Sequence, residues 1–363
     1  MKTHSYAIAA TALLTAASFL ALASCSENTD PEAPESVSDN AIRFAANTEF
    51  SRAGDITTNN LNSFNVYAYT GDSTTPNIFM NNVEVNKTTS NTWTYSPIKY
   101  WPSNIKVDFY AFAPAWWLDG FTPLGGVPYT ASPGVQDLIY AVSPDLSGSA
   151  GMANAQVLFN FRHALSKITV KMSSTNTHLL VKVTNVALSY IMTKGNFHFP
   201  AESTADPMSA ETVGTWSDQN SPSPYILHMS QSPEDIITLT STATDMGTTT
   251  IPGSRYLIPQ ELTWRNNGGV ADTYIAMMCS VYDADTGSKL WPNENTPKEN
   301  IVEGSTFGDG ILKFPLSTSA FHEWKAGYHY VYNLIINSNE DMGAIEFGAP
   351  SVDTYVDVET SYQ

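Results

Sequence analysis

From Tyr328 to Ile336 the chain places Tyr328, Tyr330, Tyr332, Leu334 and Ile336 on one side of a two-residue period, with His329, Val331, Asn333 and Ile335 between them. A period of two puts successive side chains on opposite faces, which is the geometry of a strand and not of a helix. The pattern recurs along the chain. Phe64, Val66 and Ala68 alternate with Asn65, Tyr67 and Tyr69, and Val107, Phe109 and Ala111 with Asp108, Tyr110 and Phe112. Val157, Phe159 and Phe161 repeat it, and Ile168, Val170 and Met172 face away from Lys167, Thr169 and Lys171. Residues 179–188, 236–239 and 256–258 are further strand candidates. No helical period follows residue 40, and only 14% of the residues are charged. Amphipathic helices need more charge than this, whereas strands and turns do not. The chain therefore reads as all-β, each strand having one face on a core and one toward water.

The amino end is different. Residues 1–6 carry Lys2 and no acid, and residues 7–22 are uncharged, small and apolar. This is the length of a secretory h-region, short of the roughly 20 residues that span a bilayer. It ends in Leu22-Ala23-Ser24-Cys25, a lipobox, so residues 1–24 read as a lipoprotein signal peptide and Cys25 as the acylated thiol. An ordinary cleaved signal with an incidental cysteine is the plainer alternative. Residues 25–40 are Pro-, Glu- and Ser-rich and read as a flexible tether. The acidic Ser26-Glu27-Asn28-Thr29-Asp30 after Cys25 resembles the surface-export signal of Bacteroides-group lipoproteins, which implies a place on the surface of the cell outer membrane, held by lipid through Cys25.

The roughly 340 residues that remain suit two domains better than one. The Pro-, Ser- and Thr-rich stretch 196–224 is a natural break between them. The expected division is a first β-sandwich over 41–200 and a second over 201–363. Residues 283–310, rich in Asn, Gly and Pro, read as one long loop of the second.

Several function classes are excluded or disfavoured. A formal charge of −18 opposes nucleic acid, whose phosphates require Lys and Arg. The chain has two cysteines, so acylation of Cys25 leaves Cys279 without a partner. Cys279 alternates with Ile275, Met277 and Val281 and belongs on a buried strand face. The seven histidines include no pair at metal-ligand spacing, and neither a nucleophile elbow nor a Walker loop occurs. We expect no catalytic residues, no metal and no cofactor. His163 reads as a structural histidine, and Asp283 with Asp285 as a solvated turn, with a calcium-binding loop as the alternative.

Local patterns then carry a resemblance. Lys106-Val107-Asp108-Phe109-Tyr110-Ala111-Phe112-Ala113-Pro114, preceded by Tyr100-Trp101-Pro102, resembles a strand of the Bacteroides-group fimbrillins, the subunits of lipoprotein-derived pili. Asp137-Leu138-Ile139-Tyr140-Ala141 and the run from Val157 to Ile168 are similar to a following segment. Tyr256-Leu257-Ile258-Pro259-Gln260 and Trp324-Lys325-Ala326-Gly327-Tyr328 resemble elements of the second domain. Their order spans 42–355.

The resemblance implies two transthyretin-like β-sandwiches in tandem and assembly with other pilus subunits by donor-strand exchange. A protease would cut after an arginine that follows the first strand. Here that strand is 41–50, with Ile42, Phe44 and Ala46 inward, and the bond is Arg52-Ala53. Arg52 is equally a solvated turn residue beside Gly54, and Arg43 lies within the strand. A sandwich lacking an edge strand exposes unpaired backbone beside an apolar groove, which a neighbour's strand would fill. Five inward side chains would contribute of order 10 kcal/mol before ordering costs. The carboxyl end, 345–358, alternates and is either a donor strand or the last strand of its domain.

One feature hints at a ligand. Trp116-Trp117 follows Pro114 in a Gly- and Pro-rich loop and can stack on a sugar or cap the core. A glycan-binding outer-membrane surface lipoprotein is therefore the alternative reading, its target a host or bacterial surface glycan or protein.

Overall fold

The computed structural model describes residues 41–48, 56, 60–71, 75–114, 121, 125–148, 156–203, 213–247, 253–265, 268–318, 321–336, 351–354 and 360–361. Cys25, Arg52, Ala53, Trp116 and Trp117 lie outside them, as do the signal and tether. The first strands in chain order are β1 (Arg43–Thr48), β2 (Ser63–Thr70), β3 (Asn77–Lys87), β4 (Trp93–Thr94), β5 (Val107–Ala113), β6 (Val127–Thr130), β7 (Ile139–Leu146) and β8 (Gln156–His163). There follow β9 (Ser166–Ser173), β10 (Leu179–His198), β11 (Thr215–Met229), β12 (Ile237–Thr238), β13 (Thr244–Asp245) and β14 (Ser254–Leu257). The last are β15 (Tyr274–Asp283), β16 (Lys289–Trp291), β17 (Gly310–Pro315), β18 (Tyr328–Ile335), β19 (Ser351–Thr354) and β20 (Thr360–Ser361). The all-β expectation holds. Among the described residues no helix is long and apolar enough to cross a membrane.

The strands form three sheets. The first runs β1-β8-β7-β5-β2-β3-β4. The second runs β11-β10-β15-β16, with β6 and β12 also on β10 and β17 on β15. The third runs β13-β9-β18-β19, with β14 on β9 and β20 on β18. The faces anticipated from alternation are the buried ones. Phe64, Val66 and Ala68 meet Val107, Phe109, Ala111, Val157, Phe159 and Phe161 in one core. A second core lies between the second and third sheets, where Ile168, Val170 and Met172 of β9 pack with Ile275, Met277, Cys279 and Val281 of β15 and with Tyr330 and Tyr332 of β18. Cys279 is a free thiol with no exposure, and burial pushes its pKa up. It behaves as a small apolar residue.

Three details differ from the sequence reading. The other face of β2 is not wet: Tyr67 and Tyr69 join Phe112, Phe121, Tyr140 and Phe197 in an aromatic cluster behind the first sheet. Within the stretch 196–224 the described ends are strand: β10 and β11 pair there, with Met192 opposite Pro222 and His198 opposite Thr215. β9 and β10, which precede residue 200, belong to sheets completed by later strands. Finally, 283–310 contains β16, which returns to pair with β15. The Asp283 carboxylate accepts the amides of Asp285 and Thr286 at 3.1 and 2.6 Å, so this acidic pair forms a turn.

Candidate functional site

β1 is an edge strand of the first sheet. It runs parallel to β8, from Arg43 opposite Gln156 to Thr48 opposite Phe161. Residues 42, 44 and 46 of an extended segment share one face, and here that face points inward. Ile42 and Phe44 are 1% and 2% exposed, while Ala46 is partly buried against the same core. The Phe44 ring sits among Phe64, Phe109, Phe159 and Tyr95 at centroid distances of 6.3, 6.0, 5.6 and 5.1 Å.

The other flank of β1 is held by the segment after β4. The Ile42 amide donates to the Lys99 carbonyl at 2.9 Å, and the Tyr95 hydroxyl donates to the Ile42 carbonyl at 3.0 Å. Ala41 and Tyr100 form an antiparallel bridge. Burial raises the pKa of the Tyr95 phenol, which keeps it a donor. The first sheet thus curls until its two ends approach, and β1 fills the seam.

β8 depends on this arrangement. It pairs with β7 only at Ile139–His163 and Tyr140–Arg162. Farther along, Val142 instead exchanges bonds with Ser203, through the Ser203 amide at 3.0 Å and the Ser203 hydroxyl at 2.9 Å. The ladder partner of 156–161 is therefore β1. Without it, that part of β8 would present unpaired donors and acceptors beside Phe159 and Phe161.

The chain beyond β1 is fastened at Ile56, whose amide donates to Asp137 Oδ2 at 3.3 Å. Asp137 is 3% exposed; its Oδ1 accepts the Leu138 amide at 2.8 Å, and its Oδ2 lies 2.8 Å from His163 Nδ1. His163 therefore orients a buried carboxylate at the end of β8. Asp137 falls within a sequence motif that assigns it no role, and Tyr95 and Lys99 fall in none. No local pattern marks them, since each acts on a residue 53 or more positions away. Trp101, beside Tyr100, is 6% exposed and packs on Phe109 at 5.7 Å.

At the carboxyl end, β19 lies antiparallel on β18, with Tyr328 opposite Thr354 and Val331 opposite Ser351. β20 continues along the same edge, parallel, at Tyr332 and Asn333. Residues 351–354 and 360–361 are thus strands of the chain's own third sheet, and the remainder of 345–358 lies outside the described residues. Among the described residues no group of three or more His, Cys, Asp or Glu side chains is placed to hold a metal ion.

A family model described as fimbrillin-like matches residues 51–349. The chain belongs to the fimbrillin-like family. The family supports a part in a pilus or in adhesion and suggests a non-enzymatic protein. The matched span begins after β1 and ends before β19. No curated protein matches this fimbrillin-like chain. Among solved structures, it is similar to a Bacteroides uniformis protein whose suggested role is cell adhesion, at 12% identity, covering 88% of this chain and 99% of that one with a TM-score of 0.46. It is also similar to the fimbrial anchor protein Mfa2 of Porphyromonas gingivalis, at 11% identity, coverage of 85% and 96%, and a TM-score of 0.32. The tip fimbrial protein Mfa3 of the same organism, with a C-terminal truncation, gives 10% identity, coverage of 83% and 92%, and a TM-score of 0.37.

Proposed function

We propose that this fimbrillin-like chain is a structural subunit of a cell-surface pilus, exported as a lipoprotein acylated at Cys25, whose β1 is the strand exchanged on assembly. Cleavage between Arg52 and Ala53 severs β1 from the rest of the chain. A strand from another subunit then takes its place between β8 and the 95–100 segment. Two sandwich-like units in tandem carry the groove and the remainder of the fibre contacts.

The observation that supports this reading is the seat of β1: an edge strand with its inner face in the core, on whose pairing residues 156–161 of β8 depend. Ile42 and Phe44, buried at about 1.5–3 kcal/mol each, hold it there. That is enough to keep the precursor closed and little enough to be replaced by another strand of matching pattern. Arg43 lies inside the ladder, opposite Gln156, and is shielded from a protease while β1 is seated.

Limited trypsin treatment of the whole chain tests the proposal. Cleavage after Arg52 followed by a ladder of oligomers in unboiled gels is the expected outcome, and Arg52→Ala should suppress both. A product cut at Arg52 that stays monomeric would overturn strand exchange.

A further inference from the structure

A second site lies far from β1 in sequence, where 260–262 runs beside 322–324. The Leu262 amide donates to the His322 carbonyl at 2.7 Å and the Trp324 amide to the Gln260 carbonyl at 2.9 Å, with Glu261 and Glu323 facing each other in an isolated antiparallel bridge. Two hollows share this bridge, of about 800 and 720 Å³. Both are lined by Glu261, Glu323, Lys325 and Tyr328; the first adds Trp264 and the second Trp216. Each volume falls within the roughly 300–1,000 Å³ of sites that enclose small molecules.

We propose that this paired hollow binds a neutral oligosaccharide, laid across the Glu261–Glu323 bridge with sugar faces against Trp264 and Trp216. Like charges directly opposite across a bridge lower stability. Among the described residues the ion pair in compensation, Lys325 to Glu323 at 3.1 Å, joins side chains 57% and 52% exposed and contributes little. Both glutamates are exposed, so water screens their repulsion as it screens the ion pair, and the fold tolerates two carboxylates here. Ionised carboxylates only accept hydrogen bonds, and each has two oxygens, which suits adjacent ring hydroxyls. Lys325 supplies donors beside them.

The indoles complete the match. Both are half-buried, leaving part of each ring in its hollow. Trp264 is fixed edge-on to Tyr274 at 6.1 Å. Trp216 is fixed between Phe197 and Tyr129 at 5.2 and 5.8 Å, its indole N–H donated to the Ala164 carbonyl at 2.8 Å. Rings held in this way lose little freedom when a sugar stacks on them. Arg265 and Lys325 balance the two glutamates in the first hollow, whereas the second adds Asp218; that excess and the charge of −18 disfavour anionic glycans and restrict the class to neutral ones. This inference goes beyond pilus assembly and does not depend on strand exchange.

Isothermal titration calorimetry of the whole chain with cellohexaose, maltohexaose, xylohexaose and the host-type lacto-N-neohexaose tests it. At least one should bind and alter tryptophan fluorescence, and which of them binds separates a plant-type from a host-type source. Glu323→Gln, at an exposed position that leaves folding intact, should weaken that binding by about tenfold or more. Trp264→Ala should abolish it, and hexagalacturonic acid should not bind. Silence with all four neutral sugars, or affinity unchanged in Glu323→Gln, would overturn the proposal. So would binding of tetralysine, sensitive to Glu323→Gln, in place of the sugars.

Discussion

The rings of Phe44 and Phe159 lie 5.6 Å apart with their planes 14° from parallel, one on β1 and the other on β8. The pair crosses the seam that strand exchange would open, so it joins the stability of the first core to the seating of β1. Phe44→Ala should lower the unfolding free energy by about 3–5 kcal/mol, the ordinary loss for a buried phenylalanine. Leu158→Ala, on the outer face of β8 and 45% exposed, should change it by no more than about 0.5 kcal/mol. Urea unfolding of the two variants checks the contrast.

Asp137 ties three elements together, and its removal should act at a distance. Asp137→Ala leaves the Leu138 and Ile56 amides and the His163 ring without their acceptor. A loss of about 1–3 kcal/mol is expected. The variant should also be cut faster after Arg52 than the parent chain, because Ile56 is no longer fastened. Time courses of limited proteolysis with amino-terminal sequencing measure this, and equal rates would show that Ile56 does not restrain the site.

Alkali should unfold the aromatic cluster behind the first sheet. Burial raises the Tyr140 phenol from 10.0 to about 12, although its hydroxyl accepts the Gly214 amide at 2.6 Å and Arg162 acts in the opposite direction. Tyr110 and Tyr129 are likewise pushed up to about 12, chiefly by burial. Between these values the unfolded chain has lost the proton and the folded one has kept it, so stability falls as pH rises. The contribution is whole below pH 10.0 and is lost through about 12, at up to about 1.4 kcal/mol per pH unit for each tyrosine. Phenolate absorbance against pH should show a delayed class titrating together with the loss of sheet signal.

Gly310 allows Trp291 to lie against the second sheet. A Cβ there would come within 2.2 Å of the indole, and Trp291 is 7% exposed. Gly310→Ala should therefore destabilise by about 1–3 kcal/mol through displacement of that ring. Thermal unfolding checks it, with Gly287→Ala unsuitable as a control because its φ of 72° adds strain of its own.

Alternation made most of the strands legible. Ile168, Val170 and Met172 needed only a period of two to be placed in a core, and all three are fully buried. The aromatic face of β2 was hidden because tyrosines suit both water and a buried cluster, and composition does not separate the two. β11 was hidden by its prolines. Pro222 and Pro224 lack an amide donor, and a strand tolerates that only at an edge, which is where β11 lies in the second sheet. Ile42 and Phe44 could be read as inward, but not their partners: a two-residue period specifies a face and leaves open which distant strand it meets. β8 lies more than a hundred positions away and runs parallel, a pairing no hairpin signal announces. The trench at Glu261 and Glu323 was equally illegible, since its sides are brought together only by the third sheet and its neighbours.

A reversible lock on β1 tests the account most directly. Ala45 and Leu158 are Cα partners in the β1–β8 ladder, and neighbouring strands lie within the roughly 4.4–6.8 Å that a disulfide spans. The double variant Ala45→Cys, Leu158→Cys, oxidised and then cut by trypsin, should remain monomeric and should form oligomers once a reductant frees β1. Oligomers that appear equally in the oxidised state, or in neither state, would contradict the claim that β1 vacates the groove in which subunits join.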